Sequence, residues 1–380
     1  MKIIILHIGD VLKYPTVITL IHLLKEPEYD IVLITTKSKY VADNNCTHIK
    51  IEVIPEEFER PKSRFKKLLH LPKLRNEIWK AIDKYYSEKD LIWITSNTDL
   101  KYLGERITQK NYVLQLMELC EKLTYYHKIP FLTLNREKIG NSALAVVIPE
   151  YNRAHITKAW WTLKNMPLIL PNKPYCREKI SRNLTISDPV AQEVIENIKG
   201  KKIILYQGIL GKERPLDRFI KAVDKLGDDY AFVLMTGGKN IYADIDSSNY
   251  YFIPFVNPPR HLQITSCAYI GIMSYVPTQS EFSVLNALYC APNKIFEYSM
   301  FGIPMIGNDV PGLRYAFDTH NCGICIENMT VDEICEAIRK IEKDYDTYSM
   351  NARRYYDSVD MESRLMRILD TAQKRMKERQ

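Results

Sequence analysis

The chain has 380 residues, of which 46% are hydrophobic and 26% charged, and its formal net charge is +7. This composition is ordinary for a soluble globular protein, and the length favours two domains over one core. No apolar run reaches the ~18–20 residues that a membrane-spanning helix needs. The N-terminal segment Met1–Gly9 becomes polar too soon for a signal peptide, so we expect a cytoplasmic protein.

Short apolar runs alternate with helical patterns along the first half, which predicts a parallel sheet with helices on both faces. The helical patterns include Thr16–Lys25 and Lys73–Tyr86. The predicted strands are Ile3–Ile8, Ile31–Thr35, Ile49–Ile54, Leu91–Thr95, Val113–Met117, Phe131–Leu134, Leu144–Ile148 and Leu168–Pro171. We expect residues 1–172 to form an N-terminal domain.

Residues 58–80 form a basic amphipathic segment that Pro72 is expected to break. The segment could lie on an anionic membrane surface. It could equally be a solvated helix whose apolar side packs on its own domain. No nucleic-acid recognition motif accompanies the charge, so no nucleic acid is expected as a partner. The cations are Arg60, Lys62, Arg64, Lys66, Lys67, Lys73, Arg75 and Lys80, and the apolar residues are Phe65, Leu68, Leu69, Leu71, Leu74, Ile78 and Trp79.

A polar stretch at residues 173–200 predicts a connection, after which the alternation restarts. We expect a C-terminal domain over residues 201–349 and a helical tail, 350–380, that packs back toward the N-terminal domain. The predicted fold is α/β: two Rossmann-like, doubly wound parallel-sheet domains that face a central cleft. The strands are Lys202–Tyr206, Phe232–Met235, Tyr251–Phe255, Tyr269–Met273, Met305–Gly307 and Gly323–Ile326, and the helices include Leu216–Lys225 and Val331–Lys343.

The segment Pro292–Tyr298 carries the most specific chemical signal. Pro292 suits the first position of a helix, so Asn293 and Lys294 would lie at its positive end, which favours an anion. Glu297, one turn further on, can accept hydrogen bonds from vicinal hydroxyls. A phosphate site beside such a carboxylate is what a nucleotide sugar needs. An ordinary helix–turn–strand unit, ended by Gly302 and Pro304, is the alternative interpretation.

Over nearly its whole length, the chain resembles the GT-B-fold retaining glycosyltransferases of the family-4 type, which build bacterial surface polysaccharides. The helix at Pro292–Tyr298 and the strand after it carry most of the resemblance. Further similar segments are Tyr206–Gly208 with Lys212–Arg214, Val147–Ala154, Leu168–Pro174, and Gly9–Val11 with Tyr14–Val17.

The resemblance implies a role for each matching residue. Glu297 would hold the donor ribose, the backbone at Asn293 and Lys294 would face the phosphates, and Arg214 would neutralise the leaving diphosphate. Arg214 and Lys294 would thus act in catalysis as well as in donor binding. The turn at Gly208 would face the diphosphate, and the base would lie near Gly237, Gly238, Phe255 and Val256. The acceptor side would include Gly9, Asp10 and Thr16.

Two positions depart from the family pattern. Tyr289 stands where many members have a second glutamate that touches the transferred sugar, and Ile209 stands where many have an arginine. The first departure affects the contacts to the sugar. The second leaves Arg214 as the main basic partner of the diphosphate.

The acceptor side has weaker signals. Glu118 follows a predicted strand and is either a base for the acceptor hydroxyl or a solvated glutamate. Arg153 either meets an acceptor phosphate or pairs with Glu150. His7, alone at the end of the first strand, is interpreted as structural.

No metal or other cofactor is expected. Asp244 and Asp246 have the Asp-x-Asp spelling of metal-dependent transferases, but they lie in a predicted surface loop. The pair Cys322 and Cys325 has no second pair at zinc-site spacing.

The leading hypothesis is a metal-independent hexosyltransferase. It would transfer a sugar from a UDP- or GDP-type donor to a lipid-linked or saccharide acceptor at the inner membrane face. The alternatives are a nucleotide-sugar epimerase of the same fold and a partner subunit that binds the nucleotide sugar without turnover.

Overall fold

The computed structural model describes residues 1–24, 29–37, 49–54, 64–124, 133–174, 176, 180–278 and 283–379. For residues 64–69, at the start of a helix, it describes the backbone, and the side chains are described from residue 70 onward. The chain divides into two compact units. The first comprises Met1–Pro171 and Met361–Gln380, and the second comprises Asn172–Asp360. Each unit is built on its own parallel β-sheet flanked by helices, so the predicted α/β class with two Rossmann-like domains is confirmed.

The helices and strands alternate through both units. The strands are β1 Lys2–Asp10, β2 Asp30–Lys37, β3 Ile49–Val53, β4 Leu91–Ile94, β5 Tyr112–Gln115, β6 Ala145–Ile148, β7 Leu168–Ile169, β8 Lys202–Gln207, β9 Tyr230–Thr236, β10 Tyr250–Pro254, β11 Ile270–Met273, β12 Met305–Asn308 and β13 Gly323–Ile326. The helices are α1 Pro15–Leu23, α2 Arg64–Tyr85, α3 Leu100–Leu103, α4 Arg136–Ser142, α5 Tyr151–Trp160, α6 Pro189–Asn197, α7 Asp217–Leu226, α8 His261–Thr265, α9 Val284–Leu288, α10 Asn293–Met300, α11 Pro311–His320, α12 Val331–Lys343, α13 Tyr345–Asp357 and α14 Met361–Arg379.

The first sheet has the strand order β3-β2-β1-β4-β5-β6-β7, with every pair parallel. Its strands are continuous apolar runs because helices cover both faces of the sheet. The run Ile3–Leu6, for example, is fully buried between β2 and β4. The strand order reverses between β1 and β4, so the carboxyl ends of these two strands mark the switch point of this sheet.

Helix α2 contains the part of the basic segment that the structure describes. Leu74, Ile78 and Trp79 are buried in the core of the first unit, while Lys73 and Lys80 are exposed. The apolar side of this part therefore packs on its own domain. Residues 58–63 lie outside the described residues.

Pro72 does not break helix α2, contrary to the sequence-based expectation. The proline lies on the exposed side of the helix. Water there can satisfy the carbonyl whose partner N–H the proline ring removes.

The second sheet has the order β10-β9-β8-β11-β12-β13 and is also parallel throughout. Its switch point lies between β8 and β11. Residues 173–200, predicted as a connection, fall within this unit and include α6, which the Asp188 side chain caps.

The predicted C-terminal tail is divided between the units. Its first part belongs to α13 in the second unit, and α14 belongs to the first unit. There Arg375 and Arg379 donate hydrogen bonds to the carbonyls of Leu144 and Ser142.

One predicted strand was not found in the described part of the chain. Phe131 and its neighbour lie outside the described residues, and Thr133 forms only an isolated antiparallel bridge with Thr124. Of the helices in the described ranges, none is long and apolar enough to cross a membrane.

Candidate functional site

The carboxyl end of β8 forms one wall of the candidate site. Gly208 follows this strand with a φ of 120°, which favours glycine, and its N–H donates to the Met235 carbonyl of β9. A Cβ at Gly208 would lie 3.8 Å from Cδ of Lys294. The turn therefore passes directly over the Lys294 side chain.

Helix α10 begins at Asn293, with Pro292 as its N-cap rather than its first residue as predicted. The proline side chain has no acceptor, so it does not cap the N–H groups of the first turn. Gly302, with a φ of 62°, follows the end of the helix and leads into β12. The N-terminus thus keeps its backbone donors and the positive end of its dipole for an anion.

Lys294 is buried at this N-terminus, with only 8% of the residue exposed. Its Nζ atom lies 4.0 Å from the ring centroid of Tyr206 and 5.1 Å from that of Tyr275. Among the described residues, Nζ has no hydrogen-bond acceptor. Burial, and then the positive charge of Arg214, lower the pKa of Lys294 well below its usual range.

Arg214 lies on the same wall. Its Nη1 donates to the Ile209 carbonyl at 2.8 Å, and the Tyr206 hydroxyl donates to the same oxygen at 2.9 Å. Glu213 lies 3.8 Å from its Nε atom. Tyr206 therefore connects the two cations, because its ring faces Lys294 while its hydroxyl shares an acceptor with Arg214.

Glu297 is 5% exposed and already has a hydrogen bond to each carboxylate oxygen. The Gln207 side-chain amide donates to Oε2 at 2.5 Å, and Nε2 of His261 lies 3.2 Å from Oε1. The Thr265 hydroxyl donates to the Gln207 carbonyl oxygen at 2.6 Å, which fixes the amide orientation.

Burial alone would raise the pKa of Glu297. The charge of His261, the hydrogen bonds from His261 and Gln207, and Lys294 outweigh burial and lower the pKa below its usual value. Glu297 is therefore an ionised carboxylate. Each of its oxygens retains a second lone pair for a ligand hydroxyl.

The sequence did not indicate the partners of Glu297. Gln207 lies in the segment Tyr206–Gly208 but has no role assigned from the sequence, and no sequence pattern marks His261 or Thr265. Because they come from β8 and α8, only the three-dimensional fold brings them to α10.

The ends of β9 and β10 complete the edge of the sheet. Phe255 is 47% exposed and packs against Gly237, where an added Cβ would lie 3.4 Å from the phenyl ring. Val256 is buried, and a Cβ at Gly238 would meet nothing within 4 Å. Since β8, β9 and β10 are parallel neighbours, the residues predicted to bind the donor lie at one end of one sheet.

The two departures from the family pattern also belong to the second unit. Ile209 is 75% exposed at the turn after β8, and Tyr289 caps the C-terminus of α9. Asp244 and Asp246 are exposed between β9 and β10. Within the described ranges, no group of three His, Cys, Asp or Glu residues could hold a metal ion.

In the first unit, three predicted acceptor-side residues meet at Met117. Arg153 is 4% exposed, donates to the Met117 carbonyl at 2.9 Å and lies 3.6 Å from Glu118. The Thr16 hydroxyl donates to the Met117 sulfur at 3.2 Å. Within the described ranges, the Arg153 side chain lies at ion-pair distance from Glu118 and not from Glu150. The Glu150 carboxylate instead caps helix α5 by accepting from backbone N–H groups.

Gly9 and Asp10 form the turn at the end of β1. The Gly9 carbonyl accepts from the Thr35 hydroxyl at 2.9 Å, and the Asp10 carboxylate accepts from the Leu12 N–H at 3.2 Å. Both groups therefore help to shape this turn.

A second set of buried polar side chains lies at the switch point of the first sheet. Nδ1 of His7 lies 2.8 Å from the Thr95 hydroxyl, and an oxygen of Asp99 accepts from the Ile8 N–H at 3.2 Å. Burial lowers the pKa of His7 to about 4 and raises that of Asp99 to about 8. Burial therefore disfavours the charged form of both side chains.

Comparison with known proteins gives a likeness of structure at low sequence identity. No protein-family model and no curated protein sequence matches the chain. Anabaena HepE in complex with UDP-glucose is similar with a TM-score of 0.69 at 12% identity, and the match covers 98% of this chain and 100% of that chain. Sucrose-phosphate synthase from Thermosynechococcus elongatus is similar with a TM-score of 0.65 at 15% identity over 98% of each chain.

A putative UDP-N-acetylglucosamine 2-epimerase from Listeria monocytogenes is also similar, with a TM-score of 0.63 at 13% identity. That match covers 99% of this chain and 97% of the other. At such identities the likeness shows the fold, which is of the GT-B class with two Rossmann-like domains.

Replacing Lys294 by methionine should stabilise the ligand-free protein. The substitution keeps a similar side-chain volume and removes an amine whose charged form burial disfavours, so we expect the free energy of unfolding to rise by about 1–4 kcal/mol at neutral pH. Because folding depresses the lysine pKa, the gain should shrink as pH rises toward the unfolded value of about 10.4. Urea unfolding of the wild type and of Lys294→Met, from neutral pH to about pH 10, measures this gain in stability.

The exposed Lys221 of α7 provides the control for this experiment. Lys221→Met should change the stability by less than about 0.5 kcal/mol. A loss of stability in Lys294→Met would contradict the interpretation that the ammonium is unfavourable in the ligand-free state.

Replacing Asp99 by asparagine should remove a pH-dependent destabilisation. Burial raises the pKa of Asp99 from 3.8 to about 8 against the opposing effects of the Ile8 N–H, Lys101 and the Thr95 hydroxyl, so folding favours the protonated form. Its contribution to stability is present at acid pH and is lost as pH rises through about 8. As the pH rises from 3.8 to about 8, we expect the urea midpoint of the wild type to fall increasingly below that of Asp99→Asn.

The exposed Asp30 of the same unit serves as the comparison, and Asp30→Asn should follow the wild-type profile. Parallel pH profiles for Asp99→Asn and the wild type would show that Asp99 does not have the raised pKa.

Proposed function

We propose that the protein is a retaining, metal-independent glycosyltransferase. It transfers a sugar from a UDP- or GDP-type donor to a lipid-linked or saccharide acceptor in surface polysaccharide synthesis. The observation that carries the proposal is Nζ of Lys294, which is buried beside the N-terminus of α10 and near Arg214 and has no acceptor among the described residues. A bound diphosphate would favour the charged form of Lys294, and Arg214 and the helix dipole favour the same anion.

The leaving group of this reaction is a nucleoside diphosphate, whose negative charge grows as the glycosidic bond to the donor breaks. Lys294, Arg214 and the first-turn N–H groups of α10 stabilise that charge in fixed positions. Retention follows from attack on the same face of the sugar, with the phosphate receiving the acceptor proton, as in the family that the sequence resembles.

The nucleoside is held by the neighbouring residues. Glu297 accepts hydrogen bonds from the ribose hydroxyls, and Gln207 and His261 hold its carboxylate in place. The exposed ring of Phe255, packed against Gly237, offers a flat apolar surface for the base.

For the acceptor, we propose the first-unit residues around Met117, Glu118 being the candidate base. Its side chain is 40% exposed, and the buried Arg153 orients it from 3.6 Å away. Gly9, Asp10 and Thr16 are the other proposed acceptor-side residues.

Structural similarity supports a nucleotide-sugar donor. HepE was crystallised with UDP and with UDP-glucose, which makes UDP the first nucleotide to test. Because a putative UDP-N-acetylglucosamine 2-epimerase has a similar fold, epimerisation of a nucleotide sugar is the second candidate reaction.

A partner subunit that binds the nucleotide sugar without turnover is the other alternative. Ile209 and Tyr289 favour it, because many family members have charged residues at these positions.

Nucleotide binding and donor hydrolysis test the donor site. Full-length protein should show a higher thermal midpoint with UDP or GDP and should slowly release nucleotide from the corresponding sugar. Glu297→Ala should weaken donor binding by roughly 1–3 kcal/mol, because a charge-assisted hydrogen bond is lost. Arg214→Ala should lower the rate of release.

The control for Arg214→Ala is Arg218→Ala, since Arg218 is exposed and contacts the carbonyls of Asn328 and Met329 instead. This variant should bind and hydrolyse the donor as the wild type does. Binding without release across donors would favour the partner subunit. Interconversion of UDP-N-acetylglucosamine with its C2 epimer would favour the epimerase.

Peripheral attachment to an anionic membrane from the cytoplasmic side is a separate proposal, carried by the basic residues of 58–80. Charge reversal at Lys66 and Lys67 should reduce co-sedimentation with anionic vesicles and leave donor affinity unchanged. Charge reversal at Lys73 and Lys80, two exposed residues of α2, shows whether vesicle binding depends on where in the segment the charges lie. Equal vesicle binding by the wild type and the Lys66, Lys67 variant would rule the proposal out.

A further inference from the structure

The chain passes between the two units at two points. It enters the second unit after Pro171 and leaves it after Asp360. Segments that connect domains normally absorb the relative motion of those domains, so two separate connections would each add their own freedom. In the second unit, however, side chains join the entering segment to the leaving segment.

Lys173, two residues after Pro171, binds the end of the helix that leads to the exit. Its ammonium donates to the carbonyls of Tyr356 and Val359, both at 2.6 Å. Tyr356 lies in the last turn of α13, which ends at Asp357. The last carbonyls of a helix have no partner within the helix and carry the negative end of its dipole, so an ammonium is favourable there. Lys173 therefore caps α13 from a distant point of the chain.

Tyr356 binds the entering segment in return. Its hydroxyl donates to the Pro174 carbonyl at 2.9 Å, and its ring centroid lies 4.0 Å from the Lys173 ammonium. The neighbouring Asn172 holds the entry in place from the other side, because its side-chain amide donates to the Ala291 carbonyl at 2.7 Å. Three consecutive residues of the entering segment are thus bonded within the second unit, and two of them are bonded to the leaving segment.

The burial of Lys173 shows that this contact is a specific one. Lys173 is only partly exposed, and burial lowers its pKa to about 8. Asp357 and Asp360 oppose this shift, whereas Arg353 adds to it. Withdrawing an amine from water costs free energy, which two charge-assisted hydrogen bonds can offset. A lysine in an unconstrained linker would instead extend into water.

We propose that Lys173 and Tyr356 form a clasp that makes the entering and leaving segments of the second unit move as one. The clasp comprises the three hydrogen bonds that Lys173 and Tyr356 make between these segments. While it is closed, neither segment changes conformation alone, because such a change would break bonds to the other. The two connections between the units then act as a single hinge. The inference does not rest on the proposed function, since it uses neither the donor nor the acceptor residues.

Single-molecule energy transfer between the two units of the full-length protein tests the clasp. Dyes are attached to non-natural amino acids at the exposed positions Lys89 in the first unit and Lys221 in the second, so the eight cysteines stay unaltered. Lys173→Met removes the ammonium at similar side-chain volume and should broaden the distribution of transfer efficiencies relative to the wild type. Tyr356→Phe loses only the hydroxyl and should broaden it less.

Lys202→Met is the matched control. Lys202 also belongs to the second unit, donates to Glu342 at 2.6 Å and lies 5.2 Å from the Tyr230 ring centroid. It begins β8 and is not part of the entering or the leaving segment. Its substitution removes a comparable set of contacts and should leave the wild-type distribution unchanged.

A double variant tests whether Lys173 and Tyr356 belong to one clasp. Lys173→Met combined with Tyr356→Phe should give a distribution no broader than Lys173→Met alone, because both substitutions open the same contact. Broadening equal to the sum of the two single effects would contradict a shared clasp.

Thermal midpoints show whether each variant is folded, and Tyr356→Phe decides the question should Lys173→Met fail to fold. A distribution in the clasp variants as narrow as that of the wild type would overturn the proposal. Equal broadening in Lys202→Met would also overturn it, because the effect would then reflect general loosening of the second unit.

Discussion

The proposed donor site depends on the burial of two ionisable side chains of opposite type on a single short helix. Lys294 and Glu297 lie three residues apart on α10, and both are almost fully withdrawn from water. Glu297 has Gln207 and His261 as hydrogen-bond partners, whereas Nζ of Lys294 has no hydrogen-bond acceptor among the described residues and lies near two aromatic rings, Arg214 and Glu297. Burying an ion costs free energy that only a counter-ion and hydrogen bonds can offset. The carboxylate of this helix is therefore compensated by hydrogen bonds within the second unit, while Nζ of Lys294 has no such bond among the described residues.

The rest of the second unit keeps this helix in a fixed position. The Tyr298 hydroxyl donates to the Leu205 carbonyl of β8, and Gly271 on β11 leaves room for the tyrosine ring, since a Cβ there would come within 2.4 Å of it. At the other end, Arg353 and Ser349 of α13 donate to the carbonyls of Met300 and Gly302. These contacts order α10 before any ligand arrives, so binding does not have to supply the entropy cost of ordering it.

The sequence predicted most strands because buried parallel strands are apolar on both faces, as in Ile31–Ile34 and Ile203–Tyr206. It predicted the helix at Asn293 from local start and stop signals. It did not predict the bonds from His261 and Gln207 to Glu297, which join residues 36 and 90 positions apart and depend on strand order. The continuous helix through Pro72 was missed for a related reason, because tertiary packing of Leu74, Ile78 and Trp79 outweighs the local penalty of one proline.

The two sheets share one strand order up to their sixth strand, and near each switch point the structure describes buried polar atoms that have no hydrogen-bond partner among the described residues. The chemistry of these atoms differs. In the second unit the atom is Nζ of Lys294, with Arg214 nearby. In the first unit the atoms are Nε2 of His7 and Oδ2 of Asp99. The same topology can carry such different groups because the strand ends fix only where a side chain lies, while its charge and its partners determine its chemistry.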